Sequence, residues 1–315
     1  MYSTPLSYWI GFHVLLVILL AAELIYARRR ARLKLSQHHT EVVITILWVT
    51  VAFLLAGFIY ITLGSSSSVQ YIASYALEES LSIDNLFVFL LLFRAFQVEP
   101  ARQPKVLLWG VAGAIVMRGA FIAGGLSLLH HFEWVTYIFA AILLIAAIRL
   151  FFPGDEPDTE NPKEPRWISF LKHYHPISLR QDAFFVREPV AGQQKFKLMA
   201  TILFLCLVAI EITDVVFALD SIPAVLSITR HPFLAYTSNI MAVMGLRSLY
   251  FLLIGMLARL RYLHYGLAVV LAFAAVKMLA SHWIEVGPLA SLGVIVTVIA
   301  TTIAASLYAG RTAQR

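Results

Sequence analysis

The sequence predicts an all-α polytopic membrane protein with about nine transmembrane helices, on the grounds of composition and apolar span length. Hydrophobic residues make up 60% of the chain and charged residues only 13%, whereas soluble domains carry about 25% charged residues. Most of the surface is therefore expected to face lipid. Nine apolar spans also approach the roughly 20 residues that cross about 30 Å of hydrocarbon. They lie approximately at 7–27, 41–63, 69–93, 105–129, 133–152, 198–227, 233–258, 263–283 and 287–309.

Basic residues predict the orientation of these spans. Lysine and arginine are concentrated in the segments after spans 1, 3, 5, 7 and 9, whereas the opposite loops contain only Arg230. Because cytoplasmic loops carry the excess of basic residues, the N-terminus is predicted outside and the C-terminus in the cytoplasm. Residues 1–152 then hold helices 1–5, residues 153–197 form a cytoplasmic loop with a short strand near 183–187, and residues 198–315 hold helices 6–9. The net charge of +6 is thus a topology signal, and no nucleic-acid partner is expected.

Several functional classes find no support in the residues. Cys206 is the only cysteine, which excludes a disulfide framework and cysteine-based zinc or iron–sulfur sites. The chain has no Walker motif, so direct coupling to ATP is not expected. A membrane hydrolase would require a histidine or serine nucleophile pair among the acids within the spans, and none is found. The sequence therefore predicts neither an enzyme nor an organic cofactor.

Charged residues recur at matching positions in two groups of three spans. The matched pairs are Glu78 with Asp214, Asp84 with Asp220, Arg118 with Arg247, and Arg149 with Lys277. Span 3 is predicted to run from outside to inside, whereas span 6 runs from inside to outside. Spans 3–5 and 6–8 are therefore predicted to be inverted repeats, an arrangement that many secondary transporters use for alternating access.

Spans 3 and 6 carry an unusual number of acidic residues. These are Glu78, Glu79, Asp84, Glu211, Asp214 and Asp220. An ionised carboxylate in the bilayer is costly, so such residues normally face an interior cavity and mark an ion or proton path. Arg118 and Arg247 are the candidate charge partners and supply at most two positive charges. A bound divalent cation, bound protons, or both would compensate the remaining charge. An acid–arginine network that only locks helices together is the structural alternative.

The other polar residues of these spans narrow the choice of ion. Asn85, Ser221 and Asn239 are candidate secondary ligands, and together with the carboxylates they form an oxygen-rich set. Such a set suits hard cations such as Mn²⁺, Mg²⁺ or Ca²⁺. Nearby methionines either add a soft donor that favours manganese or simply pack in the core. They are Met117, Met241 and Met244.

Two further expectations concern helix geometry and the remaining charged residues. Acids six residues apart lie about 120° apart on an unbroken helix, so local unwinding near the second acid would help them reach one ion. Pro223 supports such unwinding, because proline removes a backbone donor and clashes with the preceding turn. Charged residues near span ends are expected to snorkel to the interface. They are Glu23, Arg149 and Lys277.

Five segments together resemble a known family. They are EESLSIDNLFVF at 78–89, FFVRE at 184–188, EITDVVFALDSIPA at 211–224, YTSNI at 236–240 and MGLRSLYFLL at 244–253. In this order, and over roughly residues 40–285, the sequence resembles the TerC/Alx family of bacterial integral membrane proteins.

The resemblance implies a role and a site. It implies manganese efflux across the bacterial inner (cell) membrane, with metal-site acids at Glu78, Asp84, Glu211, Asp214 and Asp220. Glu79 departs from the family motif, in which a basic or neutral residue often follows the glutamate. We therefore expect a secondary transporter that exports Mn²⁺ in exchange for protons at the same carboxylates. The alternative is a membrane scaffold that delivers metal to a partner complex or to secreted enzymes. The oligomeric state and the choice of Mn²⁺ over Ca²⁺ stay open.

Overall fold

The structure is a computed structural model that describes residues 4–32, 37–130, 133–152, 177–189, 196–257, 262–280, 283 and 286–312. These residues form helices and one small sheet. The helices are α1 (Leu6–Arg32), α2 (Gln37–Leu63), α3 (Ser65–Ala95), α4 (Gln103–His130), α5 (Glu133–Phe151), α6 (Ile202–Ile228), α7 (Pro232–Leu257), α8 (Leu263–Ala280) and α9 (Pro288–Thr312).

Each of the predicted spans overlaps one of these helices. Within the described ranges, the helices that are long and apolar enough to cross a membrane are α1, α2, α4, α6 and α7. Shorter apolar segments lie in α5, α8 and α9. The chain is therefore an all-α integral membrane protein with five candidate membrane-spanning helices, and the full set of nine spans stays a prediction.

The contacts between helices follow a regular pattern. Helix α3 packs against α6, α7 and α8, while α4 packs against α6 and α7, and α5 against α6 and α8. Exchanging α3 with α6, α4 with α7 and α5 with α8 reproduces the same set: α3–α7 interchanges with α4–α6 and α3–α8 with α5–α6, while α3–α6, α4–α7 and α5–α8 map onto themselves. Inverted repeats require this pattern, although the symmetry itself stays a prediction. Helices α1, α2 and α9 lie outside the two triplets.

The outer faces of the helices are apolar, and the interior is partly polar. Leu54 and Ile61 of α2 and Val116 of α4 are exposed, as expected for side chains that contact lipid. Arg118 and Glu78, in contrast, are each only 1% exposed. The bundle therefore holds charged groups in its interior.

A three-stranded sheet precedes α6. It consists of β1 (Ile177–Ser178), β2 (Phe185–Pro189) and β3 (Phe196–Thr201), in the order β1-β3-β2, with β1 parallel and β2 antiparallel to β3. Strand β2 overlaps the strand predicted near 183–187. The sheet region contacts the α3–α4 connection, because the Glu99 backbone N–H donates to Gln181 Oε1 at 2.8 Å and Lys105 Nζ donates to the Asp182 carbonyl at 3.0 Å. Both segments were predicted on the cytoplasmic side, and they lie at one end of the bundle.

The prediction of unwound helices is wrong. Helix α3 runs unbroken through Asp84, and α6 continues through Pro223 to Ile228. Proline removes one backbone donor, but a membrane helix tolerates that loss when neighbouring groups compensate. The acids are therefore presented by regular helical turns.

Candidate ion site in the helix bundle

Arg118 of α4 is the centre of a buried charge cluster. Its Nε donates to Asp214 Oδ2 at 3.2 Å, and its Nη2 donates to Asp214 Oδ1 at 2.9 Å. This two-pronged contact is the geometry in which a guanidinium binds a carboxylate most strongly. Nη1 turns the other way and donates to Glu78 Oε1 and to Asn239 Oδ1. One guanidinium thus joins α4 to α3, α6 and α7.

Glu78 of α3 uses its two carboxylate oxygens differently. Oε1 accepts hydrogen bonds from Arg118 and from Ser221 Oγ, the latter at 3.1 Å. Oε2 is buried and has no hydrogen-bond partner among the described residues. A buried carboxylate oxygen without a donor is unfavourable. This oxygen is therefore suited to accept an ion or a proton.

A small cavity lies beside Glu78. Its free volume of about 10 Å³ accommodates a single water molecule or a dehydrated ion. Ser82 Oγ and Asn85 Oδ1 belong to residues that line the same cavity and are likewise buried without a partner in the described part of the chain. Three uncompensated oxygen atoms around one small space form a hard donor set. Lys277 and Met278 of α8 complete part of the wall.

Ser82 is a site residue that the sequence reasoning missed. Glu78, Ser82 and Asn85 follow the spacing i, i+4, i+7 on α3. Residues with this spacing share one face of a helix, so the spacing alone would have identified Ser82. Met278, a thioether at the same cavity, was also missed. The methionines predicted as soft donors, Met117, Met241 and Met244, do not line this cavity, and Met241 and Met244 belong to an apolar core cluster.

Glu211 and Glu79 lie at helix contacts away from this cavity. The Glu211 carboxylate packs so closely on Gly113 of α4 that an added Cβ would overlap it. Glu79 accepts a hydrogen bond from Tyr75 at 3.3 Å and lies against Gly245 of α7. Because Gly113 and Gly245 have no side chain, the backbones of α4 and α7 can approach these two carboxylates closely. Neither carboxylate lines the cavity beside Glu78.

The structure places Glu23 in the bundle core, so the prediction that it snorkels to the interface is wrong. It is 3% exposed, its Oε1 accepts from Arg247 Nη2, and its Oε2 accepts from Trp48 Nε1 at 3.1 Å. The reason is that Arg247 is mostly buried and requires a counter-charge inside the bundle. Arg247, predicted as a partner of the site acids, therefore has its ion pair with Glu23. It also lines a second small cavity together with Asp214.

The predicted site of five acids stays a prediction, because only three of its side chains, those of Glu78, Glu211 and Asp214, are described. The side chains of Asp84 and Asp220 lie outside the described residues, as does that of Arg149. Within what is described, no group of three or more histidine, cysteine, aspartate or glutamate side chains is placed to hold a metal ion. Lys277, expected to snorkel, instead lines the cavity beside Glu78.

Comparisons with known proteins agree with this architecture. Residues 63–314 match the Integral membrane protein TerC family. "Uncharacterized membrane protein STKORF319" of Myxococcus xanthus is 34% identical over 96% of this chain and 92% of its own length. "Putative membrane-bound redox modulator Alx" is 36% identical in Salmonella typhi and in Escherichia coli (strain K12), over 96% and 95% of this chain and 94% of each relative. No solved structure matches significantly. Because the family match covers most of the chain and the relatives nearly all of it, the chain belongs to the TerC family of integral membrane proteins.

Proposed function

We propose that the protein is a secondary transporter that exports divalent manganese from the bacterial cytoplasm in exchange for protons. The observation that carries this proposal is the buried carboxylate of Glu78. One of its oxygens is held by Arg118 and Ser221, while the other has no hydrogen-bond partner among the residues that the structure describes and lies beside a cavity that Ser82 and Asn85 also line. Buried carboxylates within a membrane bundle normally mark ion or proton pathways.

The ligand chemistry supports a hard divalent cation. Carboxylate, hydroxyl and amide oxygens suit Mn²⁺, Mg²⁺ and Ca²⁺ better than zinc or copper. The Met278 side chain lines the same cavity, and a thioether is a softer donor that favours manganese over calcium or magnesium. The family resemblance points to manganese as well.

Exchange for protons follows from charge balance at these carboxylates. When Mn²⁺ leaves, Arg118 supplies only one positive charge to the two carboxylates of Glu78 and Asp214, and a proton is the smallest group that supplies the second. The same groups can therefore bind metal in one direction and protons in the other. We place the protein in the inner (cell) membrane, with its N-terminus outside and its C-terminus in the cytoplasm.

A membrane scaffold that delivers metal to a partner complex is the second candidate. The specific observation in its favour is Leu198 of β3, which is 61% exposed on the sheet that we place in the cytoplasm. Phe185 of β2 is also exposed on this sheet, and grouped exposed apolar side chains mark contact sites for other proteins. The relatives' name also contains a redox role, but this sequence has the single cysteine Cys206 and so no internal dithiol pair.

Reconstitution separates the two candidates. The purified protein is placed in liposomes that contain a Mn²⁺-sensitive dye, and uptake is measured under an imposed pH gradient with Mn²⁺ or Ca²⁺ outside. A transporter moves Mn²⁺ with no other protein present, and movement depends on the pH gradient. A scaffold binds Mn²⁺ but does not move it. Glu99→Gln removes an exposed carboxylate outside the bundle and is therefore expected to move Mn²⁺ as the wild type does.

A further inference from the structure

We propose that Arg118 is a built-in cation that competes with the transported metal for Glu78 and Asp214. This inference rests on the proposed function and adds a mechanism of release to it. A metal ion that enters the bundle would have to displace the guanidinium from Glu78. The guanidinium would regain that carboxylate when the metal leaves.

The first argument is that side chains predicted to bind a metal ion bind the guanidinium of Arg118 in the structure. Glu78, Asp214 and Asn239 were identified from the sequence as oxygen ligands for a cation. In the structure each of them directs an oxygen at the guanidinium, and Asp214 does so with both oxygens. Arg118 therefore occupies the position that these ligands would offer to a metal ion.

The second argument is electrostatic. The side chains of Arg118 and Glu78 are each 1% exposed and that of Asp214 is 7% exposed, so water screens their charges poorly. A divalent ion bound to Glu78 would lie close to the positive guanidinium, and the two would repel each other. Metal and Arg118 therefore bind the same carboxylate at each other's expense.

The third argument is geometric. The cavity with the unpaired oxygen lies on the Glu78 side of Arg118, whereas Asp214 also lines the second cavity, together with Arg247. A metal ion that binds beside Glu78 would leave Arg118 attached to Asp214 and Asn239. Since Arg118 is on α4, this exchange would break its ionic link to α3 within the first triplet and keep its ionic link to α6 of the second triplet. Metal loading would thereby uncouple α3 from α4.

Arg247 provides an internal control. It occupies the matching position in the second triplet but forms its ion pair with Glu23 of α1. Removing its charge would free Glu23 and would leave Glu78 and Asp214 bound to Arg118. A cation in competition at the site is therefore expected to be Arg118 and not Arg247.

The test measures Mn²⁺ binding by electron paramagnetic resonance in wild type and in Arg118→Gln, Arg118→Lys and Arg247→Gln, at pH 8 in detergent, with thermal unfolding recorded for each. We expect Arg118→Gln to bind Mn²⁺ at least about tenfold more tightly, since two carboxylates lose their competitor. Arg118→Lys should lie in between, because a lysine is a point charge that cannot bridge both acids. The Mn²⁺ affinity of Arg247→Gln should stay within about twofold of that of the wild type.

In liposomes, Arg118→Gln should bind Mn²⁺ tightly yet transport it slowly, because no guanidinium competes for Glu78 when the metal has to leave.

The outcomes separate the two proposals. Unchanged or weaker binding in folded Arg118→Gln and Arg118→Lys, with wild-type transport intact, would overturn the competition and leave the transporter standing. If Arg118→Gln does not fold, Arg118→Lys decides by the same criterion. Equal tightening in Arg247→Gln would overturn the inference too, because any buried positive charge would then have the effect. A wild-type protein that moves no Mn²⁺ removes the proposed function itself.

Discussion

At position 113 a glycine lets the carboxylate of Glu211 lie directly against the backbone of α4. Gly113→Ala should displace the end of the flexible Glu211 side chain, which changes stability by only about 1 kcal/mol or less because alanine also favours the helix, and should slow Mn²⁺ transport. Thermal unfolding and liposome flux measure both effects. Gly57→Ala is the control, since an added Cβ there meets nothing within 4 Å. A loss in Gly57→Ala equal to that in Gly113→Ala would contradict the packing explanation.

Asn85 offers a test that separates binding from folding. Its Oδ1 is buried without a hydrogen-bond partner in the described residues, so Asn85→Leu should leave stability unchanged or raise it. The same change removes one proposed ligand and should weaken Mn²⁺ binding about tenfold or more. Calorimetry of Mn²⁺ binding and thermal unfolding provide the two readings.

Asn239→Leu is the comparison for that variant. Its Oδ1 accepts a hydrogen bond from Arg118, so this substitution should destabilise the fold. A stability loss in Asn85→Leu as large as that in Asn239→Leu would indicate that Asn85 is a structural residue.

At the scale of elements, Glu23 links α1 to α7 and α2 through Arg247 and Trp48. Glu23→Gln would leave Arg247 buried without its counter-charge, and breaking a buried pair in this way costs about 3–5 kcal/mol. The double variant Glu23→Gln/Arg247→Gln should be less destabilised than the sum of the single variants, because no lone charge remains. Thermal unfolding of the four proteins gives the coupling. Strict additivity would show that the two side chains do not stabilise each other.

The helices themselves were largely predictable from the sequence, because an apolar run of membrane length specifies a helix without reference to its neighbours. The pairing of charges was only partly predictable. Arg118 forms ion pairs with Glu78 and Asp214, the acids at matching positions of the two repeats. Arg247 instead forms its ion pair with Glu23 of α1, outside the repeats. That contact depends on how α1 packs against α7, and no spacing within one helix encodes it.

The structure differs from the sequence prediction at two other residues, Ser82 and Pro223, for separate reasons. The i, i+4 relation between Glu78 and Ser82 is enough to predict that Ser82 lies on the same face of α3. Pro223 predicts local unwinding when only its effect on backbone hydrogen bonding is considered. In α6 the surrounding helices keep the turn intact.

At the scale of the whole molecule, contacts link segments that we place on the same side of the membrane. Trp9 near the start of α1 contacts Phe233 near the start of α7 edge-to-face, and both are predicted near the outer surface. Glu99 and Gln181, both predicted in the cytoplasm, are hydrogen-bonded. The contacts thus agree with the predicted grouping of segments on each side of the membrane, and the outside N-terminus stays a prediction.

Cysteine labelling tests this orientation. In a Cys206→Ser background, a membrane-impermeant thiol reagent should label Arg230→Cys in intact cells, because Arg230 is exposed in a loop predicted outside. Arg180→Cys, at an exposed position of the predicted cytoplasmic region, should react only after the membrane is permeabilised. The reverse pattern would show that the topology is inverted and that the proposed direction of transport has to be reconsidered.

The central claim is that the face of α3 carrying Glu78 holds the transported ion. The most direct measurement is Mn²⁺ flux in liposomes containing Glu78→Gln or Glu79→Gln, two adjacent acids on different faces of the helix, with folding checked by thermal unfolding. We predict a loss of flux of about tenfold or more in Glu78→Gln. Glu79→Gln should retain flux within about twofold of wild type, because its carboxylate lies on Tyr75 and Gly245 outside the cavity. Full flux in Glu78→Gln, or a loss confined to Glu79→Gln, would contradict this assignment of the site.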